Sequence, residues 1–141
     1  MKKLMYLVLI LVLAGCASKN TLGTKKPIFE TLTTQGDGGA NIRFYEILSE
    51  PKEIMMLLSD PNLKRKIKQE DIQNSNFIIL NMGEKPSGGY KIEVENVEET
   101  ATNIVVTVKE ILPAPSDSNI SVLLSPYTIV KINSKKPIII K

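Results

Sequence analysis

The chain opens with an uninterrupted apolar run over residues 4–13, and nothing later in it has that character. Residues 17–40 are rich in Ser, Thr, Lys, Gly and Asn with scattered apolar positions, a pattern that predicts a flexible tether. About 24 such residues would span roughly 27 Å, and Ile28, Phe29 and Leu32 could add a short ordered piece. Residues 41–48 alternate and give the first firm strand. The period then changes. Over residues 49–69 Ser49 and Pro51 suit a helix start, and Ile54, Leu57 and Leu58 recur at three and four positions. Asp60-Pro61 marks a second start, with Leu63 and Ile67 on one face.

From residue 76 onward the pattern is that of strands. Residues 77–82 are nearly continuously apolar, as expected of a strand buried on both faces. Residues 90–97 place Tyr90, Ile92 and Val94 on one side and Lys91, Glu93 and Glu95 on the other. A polar connection leads to residues 104–109, which alternate again. A proline- and serine-rich loop covers 113–119. Residues 120–124 and 127–132 predict one broken strand or two, with a bulge or an edge at Pro126, and residues 138–140 predict a last one. The fold expected is one mostly β domain over 41–141, an antiparallel sandwich or small open barrel with two short helices inserted after the first strand. Its core is drawn from Phe44, Leu57, Ile78, Leu80, Tyr90, Ile92, Val94, Ile104, Val106, Val108, Val122, Leu124, Val130 and Ile132.

The apolar opening acquires a meaning from its flanks. Lys2 and Lys3 precede it and Leu13-Ala14-Gly15-Cys16 closes it, with small residues before the only cysteine. The run is too short to span about 30 Å of hydrocarbon. The tetrapeptide resembles the lipobox of bacterial lipoproteins, and this resemblance implies a signal peptide over 1–15 and a diacylglyceryl group on Cys16, with palmitate on the new terminus. A lipidated N-terminus and tether over 16–40 would follow. The mature domain is then expected in the cell envelope, bound to the membrane through its lipid. No aspartate follows Cys16, so the expected site is the outer membrane where the source has two membranes and the plasma membrane otherwise.

Charge and composition narrow the chemistry. The formal charge of +3 includes Lys2 and Lys3, and the mature remainder falls to about +1, which implies no nucleic-acid partner. Lys64, Arg65, Lys66 and Lys68 form the one dense basic cluster. They read as a solvated helix face, or else as a contact with lipid headgroups or an acidic partner. With no histidine and one thiol committed to lipid, the residues for a Ser-His-Asp triad, a Cys-His pair or a histidine or cysteine metal cage are missing. Glu93, Glu95, Glu98 and Glu99 read as a solvated sheet face, and Asp37 has too few oxygen ligands nearby for a calcium loop. No enzyme activity, cofactor or metal is expected.

The loop Gly83, Glu84, Lys85, Pro86, Ser87, Gly88, Gly89 and Tyr90 joins two strands. Its glycines permit tight backbone approach, and Pro86 stiffens its middle. It reads as a tight hairpin or as a rigid loop offered to a partner. A second loop set, Pro113 and Pro115 with Pro126 and Tyr127, would gather with it at one end of a sandwich. Three blocks in order, 78–90, 104–110 and 125–132, resemble the PrcB C-terminal domain family, which includes regulatory subunits of a bacterial surface protease complex. The resemblance covers residues 76–133 well, and 41–73 in arrangement alone. It implies a noncatalytic protein-binding module, an accessory subunit of a secreted or surface, subtilisin-like protease. A looser likeness links residues 85–90 to a loop of chagasin-type peptidase inhibitors, although Lys85 and Gly88 depart from that pattern and no tryptophan supplies the companion loop. Peptidase inhibition and an envelope-structural role remain as alternatives.

Overall fold

The computed structural model describes residues 25–116 and 121–141; Cys16, the signal segment and residues 117–120 lie outside the described residues. The elements run β1 (Phe29–Gln35), β2 (Phe44–Leu48), α1 (Pro51–Met56), a 3-10 turn (Leu57–Ser59), α2 (Pro61–Lys64), α3 (Gln69–Asn74), β3 (Asn76–Asn81), β4 (Lys91–Glu99), β5 (Ile104–Ile111), β6 (Tyr127–Ile132) and β7 (Ile138–Ile140). One sheet has the order β1-β6-β3-β2 and is antiparallel throughout. The other has the order β4-β5-β7, with β4 antiparallel and β7 parallel to β5. The fold is therefore mostly β, two facing sheets with no closed barrel.

Three layers result, because the four-stranded sheet lies between the helices and the smaller sheet. Alternation along β3 sends Phe77 and Ile79 to the helices and Ile78 and Leu80 to the other sheet. This is why residues 77–82 lack a polar face. Phe77 meets Leu32, Leu48 and Ile129 of its own sheet together with Ile54, Leu57, Leu63, Ile67 and Ile72 from the helical segment. On the opposite face Ile78, Leu80, Met82, Val130 and Ile132 pack on Ile92, Ile104 and Val106. Each such fully buried side chain contributes about 1.5–3 kcal/mol.

The helices are too short to stand alone and depend on that packing. Glu53 Oε2 accepts hydrogen bonds from the amides of Ser49 (3.2 Å) and Glu50 (3.1 Å), closing the first turn of α1. Asp60 Oδ1 accepts from the amide of Asn62 at 2.8 Å and caps α2. Both starts sit where the sequence places them. α3 is an addition, since Ile72 is its one apolar residue and gives no helical period; Ile67, which packs with it, precedes the helix.

Several expectations need correction. Part of the segment read as tether, Phe29–Gln35, is β1, so the folded domain begins well before residue 41 and the helices follow the second strand. Threonine-rich β1 has few apolar side chains and a register shift between Thr31 and Thr33, so its periodicity is weak; pairing with β6 is what orders it. Of residues 121–124, only Leu124 pairs, through an isolated bridge to Lys85, and Val122 is 42 % exposed rather than core. Residues 82–90 cross between sheets instead of closing a hairpin.

Lys131 is a charged exception in this layer. It lies in β6 on the face toward the helices, buried, with Nζ 3.0 Å from Glu30 Oε2 and 3.3 Å from Asp71 Oδ2. Asp71 is also buried and caps α3 by accepting from the amide of Lys68 at 2.9 Å. Burial works against the Lys131 ammonium, but Glu30 and Asp71 outweigh it and hold its pKa above the ordinary lysine value. The stability this adds is fully present below the ordinary lysine pKa and is lost as pH rises through the higher native value. Asp71→Ala should lower unfolding free energy by about 3 kcal/mol or more, read from urea transitions, because a buried ammonium loses a partner.

Candidate functional site

Register fixes which loops share an end. Asn81 at the close of β3 pairs with Phe44 at the start of β2 and Tyr127 at the start of β6, and Ile111 at the close of β5 pairs with Lys91 at the start of β4. Residues 36–43, 82–90, 112–116 and 121–126 therefore emerge together. The sequence anticipates two of these loops; the third, 36–43, is what locks them.

Asn81 is the hub. Its buried amide Nδ2 donates to the carbonyls of Ala40 (2.8 Å) and Ile42 (2.7 Å), and Oδ1 accepts from the amide of Ala40 at 3.0 Å. The Gly39 amide donates to the Ser125 carbonyl at 2.8 Å, and the Ser125 amide donates to Asp37 Oδ1 at 2.9 Å. A Cβ on Gly39 would come 2.1 Å from Asn81 Oδ1 and 2.7 Å from the Ser125 carbonyl oxygen, so only glycine fits. The backbone amides of Ser125 and Gly38 hold the Asp37 carboxyl below the usual aspartate range. That clamp is complete above the ordinary aspartate pKa and is lost as pH falls through the lower native one.

The glycine-bracketed loop is pinned at both flanks. Gly83 has φ +72°, and a Cβ there would lie 2.8 Å from the Arg43 amide nitrogen. The Glu84 amide donates to the Asn41 carbonyl at 3.0 Å. Lys85 and Leu124 exchange both backbone hydrogen bonds, at 2.7 and 3.0 Å. Met82 donates to the Pro126 carbonyl at 3.0 Å. Lys85 Nζ sits 5.7 Å from the centre of the Tyr90 ring, within cation–π reach.

The predicted contact residues divide by placement. Glu84, Pro86 and Gly89 are exposed, and Lys85, Gly88 and Tyr90 are half-buried. Gly83 and Ser87 are buried and shape the loop from within. In the second set Pro115 is exposed and Pro113 half-buried, whereas Pro126 is buried and Tyr127 packs against the helix-side core. Burial first, then the charge of Asp60, raises the Tyr127 pKa.

Sequence reasoning missed the apolar residues that these loops carry into solvent. Ile42 is 78 % exposed, Leu112 70 % and Leu123 65 %. Ile42 adjoins Gly83, Leu123 adjoins the partner of Lys85, and Leu112 follows the last residue of β5. Large apolar side chains in proline-flanked loops were the available signal. An end held by several backbone hydrogen bonds between its loops, and exposing three large apolar side chains, is suited to protein contact. Asn81→Ala should remove three hydrogen bonds from a buried hub and cost about 2–3 kcal/mol, with amide exchange accelerated in residues 36–43.

Comparisons with known proteins place parts of this architecture. An uncharacterized protein of Methanocaldococcus jannaschii is 37 % identical over 60 residues, covering 43 % of this chain and 36 % of its own length. The chain thus spans about a third of that relative. No solved structure matches. Residues 76–133, which run from β3 to just past β6 and supply two of the three loops, match the family model described as PrcB C-terminal, the family that the glycine-bracketed loop and its neighbouring strands resemble.

Proposed function

We propose that this chain is a lipid-anchored, noncatalytic protein-binding module of a bacterial cell envelope, an accessory subunit of a secreted or surface protease. The observation that carries the reading is the locked loop end, whose segments carry Ile42, Leu112 and Leu123 into solvent. Binding at such a surface requires little loop ordering, because residues 36–43, 82–90 and 124–126 already hold one another. The PrcB C-terminal match over residues 76–133 supports an accessory role, since that segment contributes most of the loop end.

The anchor reading rests on Leu13-Ala14-Gly15-Cys16 and on where the chain enters the domain. Asn133 Nδ2 donates to the Pro27 carbonyl at 2.7 Å, and the Asn133 amide donates to the Ile28 carbonyl at 2.9 Å. Both contacts lie at the pole where β6 ends, opposite the loops. A tether attached there would direct the loop end away from a bilayer.

The test is capture from detergent extracts of the source cells by the full lipoprotein. A subtilisin-like protease should be enriched, and Leu123→Asp should weaken its capture about tenfold by placing a charge in an apolar contact. Failure to enrich any protease would reject the accessory role. Stoichiometric slowing of a peptidase by the purified protein would favour inhibition instead. Separately, Cys16→Ser should yield a product without the lipid mass increment that leaves the membrane fraction, as read by mass spectrometry and fractionation.

A further inference from the structure

Four strands in this fold have an unpaired side: β1 and β2 in the larger sheet, β4 and β7 in the smaller. Three are protected against pairing with another chain. β1 slips register between Thr31 and Thr33 and β4 between Val94 and Asn96; β4 also presents exposed Lys91, Glu93 and Glu95, and β7 is three residues long. β2 differs. It pairs with β3 without a slip from Phe44 opposite Asn81 to Leu48 opposite Phe77, and its outer backbone edge has no strand neighbour among the described residues.

Alongside that edge, on the helix face, runs a groove of about 190 Å³ lined by Glu46, Leu48, Glu53, Met56, Leu57 and Ile79. Its floor is apolar and its rim is acidic. Met56 is 73 % exposed and its chain neighbour Met55 56 %, giving an adaptable apolar border. Glu46 has no ion-pair partner among the described residues. A two-fold pairing of β2 with a second copy over all five residues would set Glu46 against Glu46, which is unfavourable. The charge that complements this edge is positive.

We infer that the β2 edge and its groove dock an extended segment of another protein, one that carries an apolar residue and a Lys or Arg two positions apart, on the same face. Its backbone adds a fifth strand beside β2, its apolar side chains enter over Leu48, Leu57 and Ile79, and a cation sits between Glu46 and Glu53. This surface is separate from the loop end.

The probe is a synthetic peptide of about eight residues in which valine and lysine take turns at every second position with threonine between them, with a counterpart that has glutamate for lysine, titrated against the full chain. The lysine peptide should bind and slow amide exchange over residues 44–48, and the glutamate peptide should not. Glu46→Lys should weaken the lysine peptide about tenfold, and Met56→Asp, at an exposed helix end, should weaken its apolar grip while the fold is kept. Leu123→Asp should leave the titration unchanged, which separates this site from the loop end. Absence of binding, equal binding of both peptides, protection confined to other strands, or a dimer of the unliganded chain built on β2 would each overturn the inference.

Discussion

Burial of the four-stranded sheet on both faces governs most of what is distinctive in this molecule. A sheet with one wet face can alternate apolar and polar residues, but the central strands of a middle layer cannot. β3 meets the demand with Phe77, Ile78, Ile79 and Leu80 in succession. β6 meets it incompletely. Its Lys131 enters the helix-side core and is tolerated because Asp71 and Glu30 converge on the ammonium, while Thr128 on the other side donates its hydroxyl to the carbonyl of Ile92 in the facing sheet. Breaking one partner of such a buried pair is costly even where the intact pair adds little net stability. Asp71 therefore couples the start of α3, the strand β6 and the edge strand β1, whose Glu30 shares the same cation.

The same layering determines what the amino-acid sequence discloses. Doubly buried β3 and half-buried β4 and β5 have strong apolar patterns, so their positions are legible, as are the proline-marked starts of α1 and α2. β1 is not, because Thr31, Thr33 and Thr34 carry no apolar period and its order comes from hydrogen bonds to a strand distant in sequence. Val122 misleads in the opposite sense: its hydrophobicity suggests core, yet it sits exposed in a loop, and of its neighbours only Leu124 pairs, through an isolated bridge. At the loop end, the glycines and Pro86 disclose a tight connection. The role of Asn81 could not be read, because its three hydrogen bonds go to backbone groups about forty positions away.

The PrcB C-terminal segment and the rest of the domain divide the work unequally. Residues 76–133 contribute β3 and β6, the central pair of the larger sheet, and β4 and β5 of the smaller one. The remaining residues supply both edges of the larger sheet, the helical cover and β7. Loop 36–43, outside the matched segment, nonetheless holds the two loops inside it through Asn81, Gly83 and Ser125. The geometry of the loop end is thus a property of the whole domain. The β2 edge and all of its groove but Ile79 lie outside the matched segment, as features carried by this chain's own flanking elements.

The pairing of β1 with β6 also bears on how the chain reaches its native state. Asn133 and Pro27, joined by a hydrogen bond, are 106 positions apart. Contacts of such separation require loop closure before they return any energy, and topologies rich in them fold slowly. A chain emerging from its amino terminus presents β1 early, but β1 must wait for β6 before Leu32 can leave water. Until that moment the helical segment lacks part of its floor, and the nascent polypeptide is exposed to proteolysis and misassociation for longer than a locally wired domain of equal size.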